Sequence, residues 1–259
     1  MLNSNCCQTE KSQEDLNRCY SVKQLLTMQD ELNSVVKPGW KGSLTSDNFI
    51  VAFIDEMGGE FLGSGIDWKH WKFTDPSNFD LHNAKIEIVD AAFFWMSVIN
   101  IHAYNKADHR FMFCSDDNLY DQFDYYYVGA DKPLNGEGGI IVGKNALNHR
   151  SYVDIFNRVL SSTGTDVIED IYTLGMIASC IGMTCSEFSA YYAAKYELNM
   201  FRNDSGYKTG EYQKVTDGLE DNERLKPEIE AFMGDTTMTL ENLRQNVFDA
   251  FYEPVSNTP

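Results

Sequence analysis

The sequence predicts an all-α fold. Three observations carry that expectation. Apolar residues recur at helical spacing in successive segments, capping and turn residues punctuate those segments, and alternating strand-like runs are few. The first helix is expected from about Glu14 to Val36, where Val22, Leu25, Leu32 and Val36 form one stripe before Pro38-Gly39 stops it. Gln29 lies inside that stripe and Asn33 on its border, so each amide is either a satisfied core group or faces a ligand. A second helix is expected from about Asp47 to Leu62, capped by Ser46 or Asp47 and ended by Gly63-Ser64-Gly65. Glu56 and Glu60 lie one turn apart on it, and Gly58-Gly59 between them invites a bulge or a close backbone approach.

The segment WKHWK, residues 68–72, reads as a short element or loop. A third helix, about Asn83 to Ile101, contains KIEIVDAAFFWMSVI and is apolar on every side, so burial is expected. Glu87 and Asp90 nevertheless share one of its faces, being three residues apart. Carboxylates in such a place are paired with Lys or Arg, protonated, or bound to a cation.

Residues 102–178 change character, becoming aromatic, acidic and glycine-rich, with a possible short hairpin and helices near Ala146–Leu160 and Asp166–Ile181. The chain therefore divides into a core of residues 1–101 and 179–259 and an insertion of 102–178, a lid or small lobe. The last strong helix starts after Thr184, which with Glu187 fits a capping box, and it carries Lys195, Asn199 and Arg202 in one stripe. A glycine-turned loop, NDSGYKTGEY, and a closing helix near Thr239–Phe251 complete the chain.

Composition narrows the function classes. The net charge of −18 repels nucleic-acid polymers and anionic membranes, while a small phosphate ligand stays possible through bound metal. No run of 18 apolar residues suggests a transmembrane helix, and no signal core is seen, so a cytoplasmic protein is expected. Six cysteines without CxxC or regular spacing read as free thiols. P-loop and GxSxG motifs are absent, and the few histidines do not cluster with cysteines as zinc requires. Two acid pairs on two helices, with Lys195 and Arg202 opposite, suggest a Mg²⁺ cage facing a polyphosphate and metal-assisted attack of water on a phosphoanhydride. A helical scaffold with inward ion pairs is the plain alternative.

Five stretches carry a resemblance: LLTMQDELN (25–33), IDEMGGEFLGSGIDWKHWK (54–72), KIEIVDAAFFW (85–95), YYAAKYELNMFRNDSGYKTGEYQK (191–214) and LEDN (219–222). In this order they resemble the dimeric all-α dUTP diphosphatases, including phage dCTP/dUTP pyrophosphatases, within the MazG-like group. The resemblance implies hydrolysis of dUTP to dUMP and pyrophosphate, with dCTP or both bases as the alternative and a non-catalytic nucleotide-binding regulator as a different class. It implies Glu56, Glu60, Glu87 and Asp90 as Mg²⁺ ligands, with Glu56 or Glu60 orienting the water, and Lys195 and Arg202 stabilising phosphoryl charge. Gln29, Asn33, Trp68 and Trp71 would line the base region, Lys195, Asn199 and Arg202 the phosphates or sugar, and Tyr207, Lys208 and Asn222 the closing loop and its support. It also implies a homodimer. Two departures stand out: three residues, not two, separate Glu56 from Glu60, and Tyr196 replaces a common Asn.

Overall fold

The computed structural model describes residues 18–65, 71–73, 75–106, 139–142, 145–148, 177–178 and 181–252. Helix α1 is Val22–Val36, α2 is Ser46–Asp55, and a π-helical turn, Glu56–Glu60, joins α2 to the short α3, Phe61–Gly63. Helix α4 is Leu81–Lys106, α5 is Cys185–Asp204, α6 is Lys226–Gly234 and α7 is Leu240–Tyr252. Besides short 3₁₀ turns, the described residues include two hairpins: β1 (Gly139–Val142) with β2 (Asn145–Asn148), and β3 (Val215–Thr216) with β4 (Leu219–Glu220), both antiparallel. The expected all-α class is what the chain adopts.

Several boundaries differ from the sequence reading, each for a local reason. Among the described residues, helix α1 starts at Val22, because Ser21 caps it in a reciprocal box with Gln24, and a turn lies at Arg18–Cys19; residues 14–17 of the expected helix lie outside the described residues. Arg18 is drawn to the end of α6 instead, donating to the carbonyls of Phe232, Asp235 and Met238 at 2.6–3.0 Å. Thr45, not Ser46 or Asp47, caps α2, in a box with Asn48. Thr184 caps α5 as expected, accepting from the Glu187 amide, but the Glu187 carboxylate turns to Lys85 and leaves the box half made. Ala146–Asn148 belong to β2, so no helix begins at Ala146. The rest of that expected helix, and most of residues 102–178, lie outside the described residues.

Helix α4 is the axis of the core. It packs against α1, α2 and α5, and α5 in turn packs against α1, α6 and α7. Ile86, Ile88, Val89, Ala92, Trp95 and Val98 are all buried, so every side of α4 meets a neighbour. By length and composition alone, Leu81–Tyr104 could cross a membrane, and 72% of its apolar window is buried inside the protein. Between α3 and α4 the chain is pinched at its base: the Asp80 amide donates to Ser64 O at 2.8 Å. Gly65 sits there at φ +89°, and a Cβ on it would lie 2.5 Å from Asn78 O, so only glycine fits.

Candidate active site

A cavity of about 760 Å³ opens between α1, α2, α4, α5 and the β3–β4 hairpin. Each wall has its own chemistry. Helix α1 contributes Gln29 and Asn33, the π turn contributes Glu56 and Glu60, and α4 contributes Asn83, Glu87 and Asp90. Helix α5 contributes Lys195, Asn199, Arg202 and Asn203. The loop and hairpin after it add Tyr207, Lys208, Lys214, Asp221 and Asn222.

The acids converge, though three of them do so and not four. Glu56, Glu87 and Asp90 each offer a carboxylate oxygen within 4.8 Å of the others. Glu60, the fourth acid of the expected cage, lines the same cavity but is exposed and is not one of these three. A π turn holds one more residue than an α turn, and here it takes up the extra residue between the two glutamates. The Gly58-Gly59 pair, which lacks side chains to crowd a widened turn, is where that bulge falls.

Burial raises the pKa of Glu87, and the nearby Asp90 charge and a hydrogen bond shared with Glu56 add to the effect. Glu56 is raised for the same first two reasons, while its bond to Glu87 works the other way. Both shifts favour the protonated form of this pair in the absence of a cation. Asp90 is different. Lys195 Nζ lies 2.9 Å from Asp90 Oδ2 and donates to Asn222 Oδ1 at 2.7 Å, so the buried lysine bridges α4 and the residue after the hairpin. One lysine faces three acids, and oxygen donors at this spacing suit a hard divalent cation. The cluster thus fits a metal by its donor set and its uncompensated charge.

Arg202 is aimed by a different acid. Its Nε and one terminal nitrogen bind both oxygens of Asp221, at 2.8 and 2.7 Å, and its other terminal nitrogen donates to Asn199 at 3.2 Å. Burial opposes the charge on Arg202, but the Asp221 bonds outweigh it and the net shift is upward. Burial likewise opposes ionised Asp221, which Arg202 and the Tyr212 hydroxyl hold below the usual carboxylate range. Tyr207 lies beneath two cations, with Arg202 at 5.9 Å and Lys214 at 5.6 Å from its ring centre. The loop turns at Gly206, φ +84°, where a Cβ would meet the Glu211 carboxylate at 2.8 Å.

A family model described as dUTPase matches residues 21–207. The chain belongs to the dUTPase family. A search of curated proteins finds no match. The family match spans both acid helices, α5 and the start of the glycine-turned loop, so most of the cavity falls inside it. Membership makes the chain a nucleoside triphosphate pyrophosphatase by family.

Within this dUTPase-family chain, the expected base-side tryptophans are not brought to the cavity among the described residues. Trp71 is 66% exposed on a turn, beyond the pinch at Ser64 and Asp80. Trp68 lies outside the described residues. Tyr196 points away from the cavity, its hydroxyl donating to Glu31 and its ring beneath Arg244, which explains how an Asn position tolerates tyrosine. Sequence reasoning missed Asn83, Asn203 and Lys214. The first two had a signal: Asn83 precedes Glu87 by four residues, and Asn203 extends the Lys195–Asn199 stripe by four. Lys214 reaches the cavity from a loop, where no periodicity marks it.

Proposed function

We propose that the chain hydrolyses dUTP to dUMP and pyrophosphate with Mg²⁺. One observation carries this reading: a three-acid cluster, an oriented Lys–Arg pair and two pocket amides line a single cavity. Glu56, Glu87 and Asp90 would hold the cation. When bound, it supplies charge neutralisation for the phosphates and lowers the pKa of a coordinated water. Arg202, fixed by Asp221, presents its charge to the phosphate chain without reorganising. Lys195 balances Asp90 in the free protein and stands where phosphoryl charge develops. Glu60, exposed at the rim and outside the cluster, is free of the ligand set and placed to accept a proton from water. Gln29 and Asn33 supply the amides that read a pyrimidine edge.

The test is direct. Purified protein is offered dUTP, dCTP, dTTP and dATP with Mg²⁺ and then with EDTA, and pyrophosphate is measured. Release from dUTP that EDTA abolishes is the expected result. Binding without release would make the chain a nucleotide-binding regulator, and neither binding nor release would leave a helical scaffold. The homodimer belongs to the same proposal, and a monomeric mass by light scattering at working concentration would remove it.

A further inference from the structure

The two pocket amides do not act singly. Gln29 Nε2 donates to Asn33 Oδ1 at 3.1 Å, and Asn33 Nδ2 donates to Ser97 Oγ at 2.8 Å. Ser97 donates in turn to Phe93 O at 2.9 Å. At the other end the Tyr192 hydroxyl reaches Leu25 O at 3.2 Å and Gln29 Oε1 at 3.4 Å. Gln29, Ser97 and Tyr192 are all buried, so these bonds have no water to replace them.

Both ends of the relay are hydroxyls that can donate or accept. If both amides turn over, Ser97 donates to Asn33, Asn33 to Gln29 and Gln29 to Tyr192, whose proton goes to Leu25 O. The Ser97–Phe93 O bond is given up in exchange for the one to Asn33, and the number of bonds in the relay is unchanged. If only one amide turns, two NH₂ groups or two oxygens face each other at about hydrogen-bond distance, which is repulsive. The pair therefore turns together or not at all. Turning exchanges the donor and acceptor that each amide has left for the cavity. Uracil and cytosine differ by that same exchange at the ring nitrogen and the adjacent exocyclic group.

We propose that Ser97 and Tyr192 are positioning residues that couple Gln29 and Asn33 into a two-state reader of the pyrimidine edge. The proposal rests on the pyrophosphatase reading of this cavity. Each hydroxyl can be removed separately, and the two losses act in opposite senses. In Ser97→Ala, the polarity that aims Asn33 Nδ2 at residue 97 leaves a buried N–H unpaired, which is worse than an unpaired oxygen. In Tyr192→Phe, the opposite polarity is penalised, because it aims Gln29 Nε2 at the lost hydroxyl.

The experiment measures kcat and KM for dUTP and dCTP in the wild type and both variants, with circular dichroism melts to confirm folding. The wild type is expected to discriminate by less than about tenfold in kcat/KM. The two variants are expected to shift the dUTP/dCTP ratio by at least about threefold each, in opposite directions and mainly through KM. Shifts in the same direction, or an unmoved ratio in folded variants, overturn the coupling and leave pyrophosphatase chemistry standing. A wild type that prefers one base by more than about a hundredfold also overturns it. No release from either nucleotide by the wild type removes the pyrophosphatase reading itself, and the coupling with it.

Discussion

Asp90 and Glu60 separate two roles that the sequence had merged. Asp90 sits in the cluster with its lysine partner, whereas Glu60 stands at the rim. Asp90→Asn and Glu56→Gln are each expected to lower kcat/KM for dUTP by about a hundredfold or more, with helix content unchanged, since each removes a charged donor from the metal cluster. Glu60→Gln is expected to lower kcat while leaving Mg²⁺ affinity within about twofold, as its carboxylate lies outside the three-acid cluster. Titration calorimetry with Mg²⁺ checks the distinction, and equal losses of affinity in Glu60→Gln and Glu56→Gln would contradict it. At this scale the sequence was informative where side chains followed helical spacing. Glu87 with Asp90, and Lys195 with Asn199 and Arg202, were legible for that reason. Trp71 had no such signal, because a motif in a loop carries no periodicity to say which way it faces.

The π turn is the element that carries the first acid pair. Deleting Gly59 removes the extra residue and is expected to restore a continuous α-helix from Ser46 to Gly63. The variant should stay folded, with stability by urea denaturation within about 1 kcal/mol of the wild type, and its Mg²⁺ affinity should stay within about threefold, because the turn absorbs the extra residue without rotating the helix beyond it. Unfolding of the variant, or weakened Mg²⁺ binding, would show that the turn is required as it stands. The glycine pair and the odd spacing announced a bulge, but not its hydrogen-bond pattern, which depends on how α2 packs on α4. Helix starts show the same limit. The Ser21–Gln24 box was written in the sequence, but the hold of the α6 end on Arg18, a contact between residues 214 apart, was not.

At the scale of the whole molecule, the acids make stability and metal binding one equilibrium. Glu56 is raised to about 6 and Glu87 to about 9, both above their ordinary value of 4.5, so the metal-free folded state binds protons more tightly than the unfolded chain. The stability these protons contribute is complete below the ordinary carboxylate range and is lost as pH rises through the folded values. Mg²⁺ takes the place of those protons, so its stabilisation should grow over the same window. Thermal melts with and without saturating Mg²⁺ are expected to show a larger gain about four pH units above the ordinary Glu value of 4.5 than about one unit above it, by at least about 3 °C. A gain that is constant with pH would contradict the protonated pair. The assembly of walls from α1, α2, α4 and α5 was legible as a set of inward faces. That the hairpin after α5 closes the cavity was not, because two-residue strands leave almost no pattern to read.

That hairpin turns on Asp217 and Gly218, both at positive φ, 55° and 79°, and it brings the Asp221 amide to Lys214 O at 2.9 Å. Asp221 in turn steers Arg202. A bend at the surface is thereby mechanically linked to a guanidinium it never meets. A random-mutagenesis screen scored by turnover alone would recover Gly218 among its hits and credit the residue with chemistry it does not perform.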